Sequence, residues 1–362
     1  MKKIFFALFL TIVSLTVFAQ APKYSNEFLA IGTGARALGM SNSVIASVSD
    51  ATSGYWNPAG LVLTPSARQV FLMHSEYFAG IAKYDNISIA AVTGDSSAIA
   101  FSYIRFGVDN IPNTTDLIDA QGNIDYDRIT TFSAIDNAFL ISYSRKMPIE
   151  NLRVGANVKI IRRRIGDFGG SWGFGIDVGA QYQINKWKFG AVLRDVTSTF
   201  NAWSFTLDDR TREVFTLTGN EIPENSLELT LPRLLLGGGR TIQISNSFNV
   251  YPEAGLDITF DGKRNTLIKT NFMSIDPHFG FEVGYKNFAF LRGGMGNVQQ
   301  ETNFDGNQVT TMQPNLGVGI NIKNVLAIDY AFTDIGDVSV ALYSHVFSLK
   351  LNINSRETSP SL

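Results

Sequence analysis

The chain carries three histidines, His74, His278 and His345, and no cysteine. Metal centres and nucleophilic sites need such groups clustered at short, characteristic spacings or joined by a thiolate. Here each histidine falls on a different predicted strand, and no two share a metal-ligand spacing. His345 alternates with Tyr343 and Phe347, which suits an aromatic girdle, while His278 opens a strand at a lumen-facing position. No histidine sits near an obvious nucleophile in the sequence, as a hydrolase triad would need. The stretch Gly32-Thr33-Gly34-Ala35-Arg36-Ala37-Leu38-Gly39 invites a phosphate-loop reading, but it lacks the Gly-Lys-Ser/Thr ending and follows no strand of a βαβ unit. No catalytic residue, metal site or cofactor is expected. With 30 basic and 32 acidic residues, nothing points to nucleic acid. Two groupings remain. Lys159, Arg162, Arg163 and Arg164 suit either lipopolysaccharide phosphates or a solvated strand end. Phe200, Trp203 and Phe205 form an aromatic loop candidate for partner contact, with packing back onto the fold as the equal alternative.

The elements that would carry these residues are strands. From Trp172 to Tyr182 every even position is apolar and every odd one small or polar, Gly173, Gly175, Asp177, Gly179 and Gln181. Successive side chains of a strand point to opposite faces, so one face is greasy and the other hydrated. The pattern recurs at Leu152–Ile160 and Leu316–Ile322. Upstream, Lys2 and Lys3, the apolar run Ile4–Phe18 and the small-residue pattern ending at Ala19 read as an export signal, residues 1–19, removed to leave Gln20 first. An exported chain of alternating strands fits a barrel whose greasy side meets lipid. The 32 glycines and 27 phenylalanines agree, since glycine bends strongly curved sheets and aromatics form interfacial girdles.

Residues 20–68 differ in kind. They are rich in small and turn-forming residues and alternate poorly, which suits a compact hatch inside the barrel mouth. Residues 69–351 then supply about fourteen strands, the first at 69–79 and the last at 340–351, followed by a short periplasmic tail at 352–362. Tight connections at 94–96, 148–151, 185–186, 245–246, 286–287 and 323–324 alternate with long ones at 107–135, 197–232, 261–277 and 297–313. Outer-membrane barrels alternate short periplasmic turns with longer extracellular loops. The expected fold is therefore an all-β, transmembrane antiparallel β-barrel of the outer membrane, with both termini periplasmic and lipid as its surroundings.

The run Asp50-Ala51-Thr52-Ser53-Gly54-Tyr55-Trp56-Asn57-Pro58-Ala59-Gly60-Leu61 resembles the Asn-Pro-Ala segment of FadL-type outer-membrane proteins, fourteen-stranded barrels with an N-terminal hatch. Taken with Gly34-Ala35-Arg36-Ala37-Leu38-Gly39-Met40 before it, and with Arg105–Thr114 after it, the chain looks more specifically like the PorV/PorQ family of the Bacteroidetes type IX secretion system. That resemblance implies a barrel that does no chemistry and binds translocon or attachment-complex proteins, or the C-terminal signal domains of cargo, through extracellular loops. It implies a structural, hatch-shaping role for Gly34, Arg36, Gly39, Asp50, Trp56, Asn57 and Pro58. The broader FadL likeness implies the other function, a channel for passive uptake of hydrophobic small molecules.

Overall fold

The computed structural model describes residues 25–78, 80–118, 122–302, 305–335 and 343–355; the export signal and the C-terminal tail beyond 355 lie outside them. Fourteen antiparallel strands close into a barrel. They are β1 Ser66–Tyr77, β2 Ala82–Thr93, β3 Ser97–Asn113, β4 Thr130–Lys146, β5 Leu152–Ile165, β6 Gly169–Ile184, and β7 in two pieces, Trp187–Arg194 and Thr199–Phe205. The ring continues with β8, also in two pieces, Ser226–Thr230 and Arg233–Arg240, then β9 Phe248–Thr259, β10 Ser274–Tyr285, β11 Ala289–Thr302, β12 Gln308–Ile322, β13 Leu326–Thr333 and β14 Ser344–Ser355. Closure comes from β1, which pairs with β2 on one side and with β14 on the other, from Ser66↔Ser355 to Glu76↔His345. Full closure leaves no unpaired edge, the condition for backbone to cross lipid as strands. No helix among the described residues is long and apolar enough to cross a membrane.

Exposure inverts the order of a soluble protein. On β6, Trp172, Val178 and Tyr182 are exposed, while Asp177 and Gln181 on the opposite face are buried. An apolar wall facing outward and a polar lining facing inward is the burial pattern that a bilayer imposes. The short turns follow local chemistry. Lys286-Asn287 and Lys323-Asn324 each place two successive residues at positive φ (49° and 52°, 52° and 56°), the backbone of a type I′ turn that matches strand twist.

At the other end the strands run further than alternation suggests. Residues 107–113 and 130–135, expected as loop, pair as the outer ends of β3 and β4, so Arg105–Asn113 is strand. Gly107, Asn110 and Pro112 disguise the element. A bulge between Val108 and Ile111, with Asn110 at φ 58°, absorbs the irregularity, and bulged strand ends tolerate such residues. The two ends of the 197–232 connection likewise resolve into strand, with a helix at Asp209–Leu217 between them. β7 breaks at Asp195–Ser198, where Asp195 and Ser198 take φ 56° and 57°, and β8 breaks at Leu231-Pro232. Both strands then resume, paired to each other from Thr199↔Thr230 to Trp203↔Ser226.

The lumen is filled by residues 25–65. They form a 3-10 turn at Glu27–Leu29, a one-turn helix α1 at Ala35–Gly39, a second short helix α2 at Ser53–Trp56 and a 3-10 stretch at Pro58–Leu63. Met40, Ile45, Trp56 and Leu61 from this segment make one apolar core with wall residues Phe71, Tyr84, Leu140 and Ile161. Ser25 bonds Thr230 at 2.7 Å and Glu27 reaches Arg264 at 3.2 Å, both toward the long-loop end. The segment then descends to Ser66 at the short-turn end, where β14 also finishes. Ser25 and the end of β14 therefore lie toward opposite ends of the barrel.

Candidate functional site

The hatch is seated on a belt of glycines. Gly155, Gly179, Gly190, Gly237, Gly280 and Gly294 all face the lumen, and a Cβ on any of them would meet hatch atoms. A Cβ at Gly155 would lie 2.5 Å from the Pro58 carbonyl carbon, one at Gly190 2.3 Å from the Ile45 oxygen, and one at Gly294 2.4 Å from the Met40 carbonyl carbon. Gly39 of α1 lies against Gly317 of β12, backbone on backbone. Close approach of two backbones demands residues without side chains. The glycine abundance thus has a local cause besides curvature.

Among and beside the glycines, lumen-facing polar side chains satisfy the hatch backbone. Glu253 Oε1 accepts from Ala46 N at 2.7 Å, Gln69 Oε1 from Ala51 N at 2.7 Å and Ser348 Oγ from Ala35 N at 3.2 Å. Gln181 donates to the Ile45 and Val48 carbonyls, and Asn157 donates to Gly54 O at 2.6 Å. Irregular backbone buried away from water must find such partners. Glu253, Gln181 and Asn157 were recognisable in sequence as lumen-facing by alternation; which hatch atom each serves was not.

All seven hatch-motif residues lie in this plug. Gly34 caps α1 at φ 90° and donates its N–H to Met73 Sδ. Arg36 reaches Glu282 at 2.9 Å, and Glu282 continues through Arg292 at 2.6 Å to Asp329 at 2.6 Å, a charge ladder across β10, β11 and β13. Asp50 meets Lys350 of β14 at 2.9 Å. Burial alone would raise the Asp50 carboxyl, but the Lys350 ammonium, the Thr52 hydroxyl and Arg36 overcome it and hold it down at about 2. Trp56 donates to Thr33 O at 2.8 Å and packs edge-on against Tyr55. Asn57 ties two distant segments together, donating to Ile45 O at 3.0 Å and to Ala180 O of β6 at 3.1 Å. Pro58 begins the 3-10 stretch that rests on Gly155.

Three expectations need correction. Phe200, Trp203 and Phe205 stand on a strand, not a loop. Phe200 faces out beside Phe174, whereas Trp203 stacks on Phe205, takes the Arg163 guanidinium over its ring at 5.0 Å and donates to Glu228 at 2.6 Å. Cross-strand pairing, invisible in a single segment, turned an apparent aromatic loop into wall. Lys159 is likewise no solvated strand end. It is buried between Asp177, at 2.8 Å, and Asp195, behind the break in β7. Arg163 pairs with Asp136 at 2.9 Å, and only Arg164 of that run is well exposed. Finally, His278 does have a nucleophile beside it: Nδ1 lies 2.8 Å from Ser43 Oγ, and Nε2 lies 3.3 Å from Asp257. The order Ser-His-Asp is that of a hydrolase relay. Ser43, however, has no exposed surface, and its N–H bonds Met40 O, so a substrate carbonyl has no position to occupy. The cluster fastens hatch to wall.

No protein-family model matches the chain, and no curated protein sequence does either. Solved structures do. The monoaromatic hydrocarbon channel CymD matches with a TM-score of 0.57 at 13% identity, covering 90% of this chain and 98% of that one. The Pseudomonas putida toluene transporter TodX matches with a TM-score of 0.55 at 13% identity, over 89% and 98%. A Pseudomonas aeruginosa FadL homologue matches with a TM-score of 0.50 at 11% identity, over 88% and 97%. At such identity the likeness establishes the fold. The chain is a closed fourteen-strand antiparallel barrel with an internal hatch, the architecture of FadL-like outer-membrane barrels. The narrower resemblance to the PorV/PorQ family gains no support from these matches.

Proposed function

We propose that this protein is an outer-membrane channel of the FadL type, passing hydrophobic small molecules passively, with its hatch seated in the conformation described. The observation that carries the reading is the fold likeness to hydrocarbon channels over nine-tenths of the chain. The cavities beside the hatch hold only 10–20 Å³, so flux requires the hatch to shift. Its glycine seats carry no side chains and its single hydrogen bonds are worth about 1 kcal/mol each, while the shared apolar core and the Asp50–Lys350 and Arg36–Glu282 pairs are the contacts that such a shift must break.

A cysteine-free chain allows a clean test. A Cβ at Gly296 of β11 would lie 3.6 Å from the Ser41 Cβ of the hatch, within disulfide range, with the neighbouring His278 Cβ at 3.0 Å having to yield slightly. Cells expressing the Ser41→Cys/Gly296→Cys protein should take up toluene and oleate when reduced and stop when oxidised. Uptake no higher than in cells lacking the barrel rejects the channel, and equal uptake in both states above that level rejects the hatch shift.

A second reading follows from the sealed lumen and from exposed Ile118, Tyr126, Leu217 and Phe272 at the long-loop end. Exposed apolar side chains at a protein mouth suit contact with another protein. In this reading the barrel is a type IX adaptor for translocon or attachment-complex proteins and cargo C-terminal domains. Recovery of such a complex from gently solubilised outer membranes supports it; recovery of the barrel alone opposes it.

A further inference from the structure

An open groove of about 930 Å³ lies on the outer wall rather than in the lumen, crossing β6 to β11. Its shape comes from side chains that are missing from the outward face. Gly238 of β8 and Ala254 of β9 are register partners, flanked in the same row by Phe189 of β7 and Phe279 of β10. In the next row up, Ala180 pairs with Ala191, beside Leu236 and Leu256. Two aromatic walls thus stand on either side of a floor two strands wide. The volume falls within the range of about 300–1,000 Å³ seen for small-molecule sites, and the lining is almost wholly apolar.

A second feature adjoins the groove. Arg240 lies two residues below Gly238 on the same outward face, toward the short-turn end. Its guanidinium rests over the exposed Trp187 ring at 5.2 Å, and no carboxylate pairs with it among the described residues. A cation held on an interfacial tryptophan, at the foot of a greasy trough, presents an anionic headgroup with its charge partner and the attached chain with its bed. Short turns mark the periplasmic end, where the neighbouring monolayer is phospholipid.

We propose that this groove is a site for one anionic phospholipid of the periplasmic leaflet, with an acyl chain between Phe189 and Phe279 and the phosphate on Arg240. The site is separate from the lumen and stands whether or not the barrel conducts. Native mass spectrometry of the full chain in a mild detergent, offered equal phosphatidylglycerol and phosphatidylcholine of identical acyl chains, tests it. The wild-type barrel should retain one lipid, preferring phosphatidylglycerol about fivefold, the ratio that one basic residue at a membrane surface supplies. A Gly238→Leu/Ala254→Leu protein should lose retention of both lipids. A Cβ at Gly238 would sit 3.6 Å from Phe189, so the floor can be filled without a clash. Arg240→Gln should keep retention and lose the preference. Heat-modifiable migration on gels confirms that each variant is folded. Equal retention of the two lipids by the wild type overturns the proposal, as does unchanged binding with the floor filled. A dimer that disappears when the floor is filled also overturns it, by making a second copy the occupant.

Discussion

Asp50 shows how one residue can report on the hatch. Its carboxyl is held at about 2 in the folded protein against an ordinary 3.8, mainly by Lys350 against the opposing cost of burial. A depressed folded value means that its stabilisation is complete above the unfolded value and disappears as pH falls through about 2. The shift corresponds to about 2 kcal/mol. Protection of the hatch from hydrogen exchange should accordingly hold constant from pH 7 to pH 5 and weaken on acidification below pH 4. Asp50→Asn should reduce that pH dependence, the Arg36–Glu282 pair supplying the remainder, and leave Lys350 without its counter-charge, lowering hatch stability by about 2 kcal/mol at neutral pH. Asn57 makes a different kind of point. Its amide spans a hatch carbonyl and a wall carbonyl. Asn57→Ala should therefore raise exchange in both the hatch and β6, whereas a purely local turn residue would affect the hatch alone.

At the scale of elements, the belt of glycines is what lets an irregular segment lie against a barrel wall. Adding a side chain there forces overpacking, which costs about 1–3 kcal/mol. Gly155→Val and Gly190→Val should expose Arg36 to trypsin while the barrel keeps its heat-modifiable migration; Gly238→Ala, on the outward face, should change neither. If the luminal variants leave the hatch as protected as the wild type, the seat is not the glycines. The break in β7 belongs to the same scale. Asp195 turns into the lumen at positive φ, where Lys159 meets it, and Val196 N bonds Ile176 O so the wall stays closed. A charged pair therefore occupies what would otherwise be a gap between two strand pieces.

Across the whole molecule the governing fact is the inverted distribution of polarity. Arginine at mid-membrane on a barrel's outer face costs about 2–4 kcal/mol. Val178→Arg should lower the free energy of folding into phospholipid vesicles, read from urea titration, by that order, whereas Gln183→Arg, on the lumen face near the short-turn end, should cost far less.

Alternation within each strand, joined to the export signal and to the succession of short and long connections, was enough to read the barrel, about fourteen strands and the face each turns to lipid; one residue of slip would have put Asp177 in the bilayer. The tight turns were equally legible, because positive φ favours Asn and Gly locally. What sequence could not decide were properties of pairs far apart in the chain. Strand extensions at 107–113 and 199–205 became strands only through their partners. The hatch-motif residues were visible as a group, but Arg36 found Glu282 and Asp50 found Lys350 only when closure brought the strands round the plug, and Ser43, which no motif singled out, found His278 in the same way. The outer groove is of this kind too, since Gly238 and Ala254 lie on different strands and make a floor only in register. Local periodicity sets which face a residue occupies, while tertiary closure alone sets what it meets there.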